Sequence, residues 1–149
     1  MLKSQKIRAT RQNRLAGGVR VFLGILFLMT GAMKLVVPML AEAWAGQLAA
    51  ASIPLEDLNR WAVPIVEMGV GVAFLLGYFA RIAALVVLGI MVVATYVHVV
   101  VADPSLFPLQ PSEPVIPAVV MVLAVYVLLR GAGAGSLDLK ASRAAASCT

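Results

Sequence analysis

Four long apolar runs restrict the folds open to this chain more than any other feature of its sequence. An α-helix rises about 1.5 Å per residue, so roughly 20 apolar residues are needed to cross the hydrocarbon core of a membrane. The runs reach or approach that length, and the predicted helices span about 19–37, 61–79, 82–102 and 114–130. We therefore expect an all-α integral membrane protein, folded as an antiparallel, up-down four-helix bundle.

Composition supports a membrane environment. Of the 149 residues, 62% are apolar and 13% are charged, whereas a soluble domain is about half apolar and a quarter charged. A domain of this size cannot bury so many apolar side chains, because much of its surface stays exposed. In a membrane, lipid can cover the apolar side chains that remain on the surface. The chain divides into a basic arm over 1–18, a transmembrane domain over 19–130 and a tail over 131–149.

Charge distribution predicts the orientation. The net charge is +5, and ten of the twelve Lys and Arg residues lie in or beside the arm, the turn near 80 and the tail. Positive loops stay inside, so both termini are predicted to be cytoplasmic. One interpretation is that the arm is mobile and contacts anionic lipid headgroups. The alternative is that its charges only set the topology. No aromatic residues are interleaved with the basic ones, so nucleic acid is not an expected partner.

The first run also has features of a cleavable signal peptide, because Ala41-Glu42-Ala43 resembles a cleavage site. The run is longer than the usual stretch of about 7 to 15 apolar residues, and Lys34 would lie just before the cut. We expect the run to be a membrane helix instead.

The segment between the first two runs predicts a further element. Leu40, Trp44 and Leu48 recur every four residues, which places them on one apolar stripe of a short amphipathic helix at the membrane interface. Such a helix would cover the outer half of the bundle.

Small residues predict which face of the second run packs against protein. Gly69, Ala73 and Gly77 are four apart and predict a groove for a neighbouring helix, with Glu67 and Gly71 on an adjacent face. Glu67 is therefore expected to face protein rather than lipid.

Three ionisable residues interrupt the apolar runs: Lys34, Glu67 and His98. Their predicted depths agree, each on the order of 5 to 8 Å below the outer boundary. One interpretation is a structural ion pair that fixes helix register. The other is a site that binds a polar head group or relays protons. Tyr96 and Trp44 are candidate contributors, and no catalytic residue is assigned.

The chain lacks the residues that thiol, metal and nucleotide sites require. Cys148 is the single cysteine, so the chain has no disulfide and no CxxC pair. There is no HExxH motif, no glycine-rich nucleotide loop and no multiple-His pattern typical of haem or copper. We expect no metal site, and any electron carrier would have to come from a partner.

Several short stretches, in this order and spacing, resemble the DoxX family. They are Leu23-Gly24, Gly31 to Leu35, Gly46, Pro54, Glu67 to Gly71, Leu76 to Leu85, Met91, His98 and Gly131 to Asp138. The resemblance runs from Arg20 to Asp138. It implies a small four-helix bacterial membrane protein linked to quinone-dependent redox complexes or oxidative stress, in which the recurring Lys, Glu and His match Lys34, Glu67 and His98.

The leading hypothesis is a membrane subunit of a quinone-linked redox or oxidative-stress complex. Its polar layer would bind a quinone head group non-covalently or carry its protons, and other redox proteins or subunits would be its partners. If the chain takes part in an enzyme, it does so as an accessory subunit of an oxidoreductase. The alternatives are a small-solute carrier or exporter, and a scaffold without catalytic activity that holds partners through the arm and Ser136-Leu137-Asp138. A homo-oligomer is compatible with each.

Overall fold

The computed structural model of this chain describes residues 8–146, and all the regular structure in that range is helical. Six α-helices follow one another. They are α1 (Arg14–Val36), α2 (Pro38–Ala50), α3 (Glu56–Leu76), α4 (Ala80–Val100), α5 (Val115–Arg130) and α6 (Leu137–Ala146). A 3₁₀ turn, Pro104–Leu106, lies between α4 and α5. The all-α prediction is confirmed for this range, and α2 forms where the short helix between the first two runs was expected.

Three of the helices are long and apolar enough to cross a membrane. They are α1, α3 and α4, with 23, 21 and 21 residues. α5 has 16 residues and rises about 24 Å, less than the roughly 30 Å of a hydrocarbon core. Large apolar side chains such as Phe22, Ile25 and Met29 of α1 are about half exposed, which suits contact with lipid rather than water.

α1 and α3 each begin five residues earlier than predicted. Asn13 caps α1, because its side-chain oxygen accepts a hydrogen bond of 3.1 Å from the Ala16 N–H. Glu56 and Asp57 lie in the first turn of α3, where their negative charge complements the helix dipole. As a result Glu67 is the twelfth of 21 residues in α3, near its middle, rather than close to its outer end.

The four apolar helices share one core. α1 packs along α3 and α4 along α5, while α5 also contacts α1 and α3 contacts α4. Each of these helices contributes buried side chains to a single cluster. They include Leu23, Phe27, Val70, Phe74, Ala84, Val87, Val120, Ala124 and Val127.

Glycine sets the closest approach of α1 and α3. A Cβ atom on Gly71 would lie 2.7 Å from the backbone nitrogen of Leu28 and 2.9 Å from the carbonyl oxygen of Gly24. Gly69 has no neighbouring atom within 4 Å of such a position and is exposed. The predicted groove through Gly69 is therefore wrong, and the packing face is the adjacent one, which carries Gly71 and Glu67.

The two ends of the helices differ in what covers them. We call one the terminal end; it comprises residues 8–13, the α3–α4 turn at 77–79 and the segment 131–138. The other, the loop end, comprises α2 and the segment 101–114.

The basic segment before α1 is held in place rather than mobile. The sequence predicts an arm over 1–18, and within it Thr10, Asn13 and Gly17 contact the segment that follows α5. The Ala134 N–H, for example, donates a hydrogen bond of 2.9 Å to the carbonyl oxygen of Asn13. Residues 1–7 lie outside the described part of the chain. The expected mobility is wrong for 8–18 because the backbone there finds partners in the tail.

Candidate functional site

An ion pair between a half-buried Lys34 and a buried Glu67 joins α1 to α3. The Lys34 ammonium lies 2.6 Å from Oε1 of Glu67, and Glu67 is 2% exposed. Glu67 lies at the level of Gly31, because a Cβ atom on Gly31 would be 3.1 Å from Cβ of Glu67. The Lys34 side chain therefore reaches back by about three residues, or 4.5 Å, toward the middle of the helices. The Lys34 ammonium therefore lies beside Glu67 rather than at the outer end of α1.

Trp44 of α2 completes the surroundings of this pair. The Lys34 ammonium lies 4.6 Å from the centre of the Trp44 ring, a cation–π contact. Pro64, inside α3, has no N–H and so leaves the carbonyl oxygen of Arg60 without its usual helical donor. The Trp44 indole N–H donates to that oxygen at 3.3 Å. A proline in α3 thus explains why the Trp44 ring lies over Lys34.

The carboxylate of Glu67 is only half satisfied. Oε1 accepts from Lys34, whereas Oε2 is buried and has no hydrogen-bond donor among the described residues. A buried acceptor without a donor costs about 1–3 kcal/mol. Glu67 is therefore equipped to accept a proton, or a hydrogen bond from a bound molecule.

His98 lies elsewhere at the loop end. Its Nδ1 is 2.8 Å from the carbonyl oxygen of Ala94, and since a carbonyl only accepts, Nδ1 carries the hydrogen. The neutral ring then has a lone pair on Nε2, which is buried and without a partner in the described part. The Phe107 ring packs on His98 with centroids 4.4 Å apart. His98 is the nineteenth of 21 residues in α4, much nearer a helix end than Glu67 is.

The 3₁₀ turn places Phe107 on the histidine. The Asp103 carboxylate accepts hydrogen bonds from the hydroxyl and the N–H of Ser105, at 2.7 and 2.9 Å, which starts the turn. These bonds hold the pKa of the Asp103 carboxyl below its ordinary value. Gln47 of α2 donates to the carbonyl oxygen of Leu106, so α2 contacts both the Lys34 side and the His98 side of the loop end.

The predicted site residues are thus brought together in part. Lys34, Glu67 and Trp44 are in contact, as just described. Within residues 8–146, neither a hydrogen bond nor an ion pair joins His98 to Lys34 or Glu67. Tyr96 is 50% exposed and forms no hydrogen bond with its side chain in that range, so the structure does not place it at the pair.

Arg20 is a buried charge that the sequence interpretation missed, because it was counted only as a topology-setting residue. It is 2% exposed, inside the terminal end of α1. Its guanidinium donates to five backbone carbonyl oxygens, those of Phe74, Leu75, Ala132, Ala134 and Gly135. Two of these acceptors, Phe74 and Leu75, belong to the last turn of α3, where carbonyl groups lack the usual donor four residues on; the Phe74 oxygen also accepts from the Gly77 N–H. Arg20 therefore caps α3 and ties it to the segment after α5.

Asp138 is the matching anion. It is 2% exposed, and its carboxylate accepts from the N–H groups of Phe79 and Ala80 at 3.1 and 3.0 Å. It also accepts from Nε of Arg8 at 2.7 Å. The carboxylate caps the first turn of α4, where negative charge complements the helix dipole. One signal was available: Asp138 is the single acidic residue in the segments that carry most of the basic ones.

The tail that contains Asp138 is part of the fold. Ser136 is 2% exposed, and its hydroxyl accepts from the Leu139 N–H at 3.1 Å at the start of α6. Gly77, with φ of 63°, ends α3 so close to this serine that a Cβ atom there would overlap it. The segment Ser136-Leu137-Asp138 was expected to hold partners in the scaffold hypothesis. Its two polar side chains are instead buried and already bonded within the chain.

Together, three apolar helices of spanning length and a charged pair buried between two of them define a multi-pass helical membrane protein. Comparison with known families gives the more particular assignment. The DoxX family model matches residues 16–100, more than half of the chain, and the protein belongs to the DoxX family. The match includes Arg20, Lys34, Glu67 and His98, and it ends before α5. No curated protein and no solved structure matches the chain.

Proposed function

We propose that this protein is the membrane subunit of a quinone-linked redox system, and that Glu67 and Lys34 bind the polar head group of the quinone. The observation that carries the proposal is the buried Oε2 of Glu67, which has no donor in the described part of the chain. A quinol hydroxyl is a donor of the right kind. Lys34, which already contacts Oε1, is a donor for a quinone carbonyl oxygen.

The same pair suits proton transfer at an apolar site. Oxidation of a quinol to a quinone releases two electrons and two protons, and the electrons would pass to a redox partner protein. The Glu67 carboxylate can accept one proton at Oε2, because this leaves the contact between Oε1 and Lys34 in place. His98, with its buried Nε2 acceptor, is the second proton-carrying group in this proposal. The redox setting is what the DoxX family assignment adds to this geometry.

The proposal includes an architecture and an orientation. The helices form an antiparallel four-helix bundle in the inner membrane of a bacterium, with α5 as a fourth, short span. The support is that α1, α3, α4 and α5 each contact two of the others around a common core. Both termini are cytoplasmic, because ten of the twelve Lys and Arg residues lie before or at the start of α1, beside the turn between α3 and α4, or from Arg130 onward.

Quinone binding by the purified protein in lipid nanodiscs tests the proposal. A short-chain ubiquinone or menaquinone analogue quenches tryptophan fluorescence, and Trp44 lies within contact of Lys34. Glu67→Gln should weaken binding on the order of tenfold, the loss of one charge-assisted hydrogen bond. Glu56→Gln is the matched control, since it removes an exposed carboxylate from the same helix and should leave binding unchanged.

A variant that keeps the ion pair guards against misfolding. Glu67→Asp retains the charge but shortens the side chain, so it should fold and still bind quinone more weakly than the original chain. Equal binding by the Gln, Asp and control variants, or no binding by the unmodified protein, would refute the assignment of Glu67 to a quinone site.

A further inference from the structure

A second polar feature, distinct from the Glu67 pair, lies at the opposite, terminal end. It is a cavity of about 770 Å³ between the segment before α1, the start of α4, the end of α5 and α6. Four arginines line it: Arg11, Arg14, Arg81 and Arg130. The remaining lining residues are neutral, and so no carboxylate of the described chain faces these four charges.

Arg81 is poorly supplied with hydrogen-bond acceptors. Its Nε is buried and has no hydrogen-bond partner among residues 8–146, and its Nη2 reaches only the carbonyl oxygen of Leu129, at 3.4 Å. The carboxylate at this end is that of Asp138, which is buried and already bonded to Arg8 and to two backbone N–H groups. Asp138 is therefore not available to neutralise the arginines of the cavity.

The arginines also lie at one level of the helices. Arg14 is the first residue of α1, Arg81 the second of α4 and Arg130 the last of α5. Since α1 and α4 are of spanning length, this level is the membrane boundary, where lipid headgroups are found. Leu129, which lines the same cavity, is 70% exposed, so the cavity has an apolar rim facing outward.

We propose that this arginine cavity binds the phosphate group of an anionic phospholipid. A phosphate supplies several acceptor oxygens and negative charge, and among residues 8–146 neither Nε of Arg81 nor the three other guanidinium groups have such a partner. The exposed apolar rim favours a phosphate carried by a lipid over one free in solution. If the four arginines only set the membrane topology, they would need neither a shared cavity nor a buried hydrogen-bond donor such as Nε of Arg81.

Lipid binding measured by native mass spectrometry tests this assignment. The full chain is released from detergent micelles after mixing with phosphatidylglycerol or with phosphatidylcholine. We expect a preference of about tenfold or more for the anionic lipid, decreasing with salt concentration as charge screening requires. Arg81→Gln should remove most of the preference, and so should the double variant Arg11→Gln/Arg130→Gln, which changes two exposed side chains and so should not disturb folding.

Arg60→Gln is the matched control, because it removes one exposed arginine at the loop end and should keep the full preference. Inorganic phosphate is added in a separate arm. If it displaces the lipid at millimolar concentration, the cavity is a site for soluble phosphate, and the assignment to a lipid is wrong. An unchanged preference in both arginine variants, or an equal loss in Arg60→Gln, would show that the cavity is not the site.

Discussion

Replacing Arg20 by methionine tests the structural role that the sequence interpretation missed. The substitution keeps an unbranched side chain of similar length, which can fill the same space, but removes every donor. The carbonyl oxygens of Phe74, Leu75 and Ala132 would then be left without this partner at a buried position. We expect the substitution to destabilise the terminal end of the protein and to leave the loop end intact.

The hydrogen-bond lengths of Arg20 allow the size of this destabilisation to be estimated. The bonds to Ala132 and Leu75, at 2.8 and 2.9 Å, have ordinary lengths, a third bond goes to Phe74, and those to Ala134 and Gly135, at 3.4 Å, are weak. A hydrogen bond to a charged donor contributes about 1.5–3 kcal/mol. The substitution also removes the free-energy cost of burying the guanidinium, which offsets part of the loss of three such bonds. We therefore expect the free energy of unfolding to fall by about 3–5 kcal/mol. Arg20→Lys keeps the charge but cannot span the separate acceptors, and about half of the loss should remain.

Reversible unfolding in mixed detergent micelles measures this loss. Arg60→Met is the control, since Arg60 is exposed and its replacement should change the free energy of unfolding by no more than about 0.5 kcal/mol. Amide hydrogen exchange should rise at 131–138 and in the last turn of α3, and stay unchanged around Lys34. If Arg20→Met costs less than about 1 kcal/mol, or if exchange rises evenly through the chain, Arg20 does not act as a cap.

Two further predictions use the same unfolding assay. In a double-mutant cycle of Lys34→Met and Glu67→Gln, the coupling free energy should be about 1–3 kcal/mol, because Glu67 is buried while the Lys34 side chain is 24% exposed; a coupling near zero contradicts the pair. Gly71→Ala should destabilise by about 1–3 kcal/mol, since its Cβ would meet the α1 backbone. Gly69→Ala, on the open face, should stabilise by about 0.5–1 kcal/mol through helix propensity, and effects of the same sign at both glycines would contradict the assigned packing face.

Hydropathy correctly predicted which segments form the long helices, but it was less accurate about the residues at which α1 and α3 begin. α5 was placed within one residue, because Pro114 before it and Gly131 after it mark the ends in the sequence. The starts of α1 and α3 were missed because hydropathy reports which residues suit lipid. Helix starts depend on backbone hydrogen bonds, such as the one that Asn13 accepts, and on acidic first-turn residues such as Glu56.

The candidate site could be predicted where it uses charged residues, because charged side chains are seldom found inside apolar helices. Lys34 and Glu67 stood out because each interrupts an apolar run, and the structure pairs them. His98 stood out for the same reason, but its position depends on Phe107 and the 3₁₀ turn, which no periodicity indicates. Arg20 carries the same charge as the topology-setting residues around it. Only the three-dimensional position of the α3 carbonyl groups distinguishes a buried cap from a cytoplasmic anchor.

The two missed residues bear on how the candidate site is held. Arg20 places a cation on the carbonyl end of α3, and Asp138 places an anion on the amide end of α4, so each charge complements the dipole of the helix it touches. Arg20 and Lys34 are both on α1 and both bond to α3, which fixes the register of these helices at two separate points. The backbone of Glu67 therefore cannot shift along α1 to bring Oε2 to another donor. In the proposed quinone site, an acceptor that has no donor among residues 8–146 and cannot move to one would be preorganised for a donor on the bound quinol.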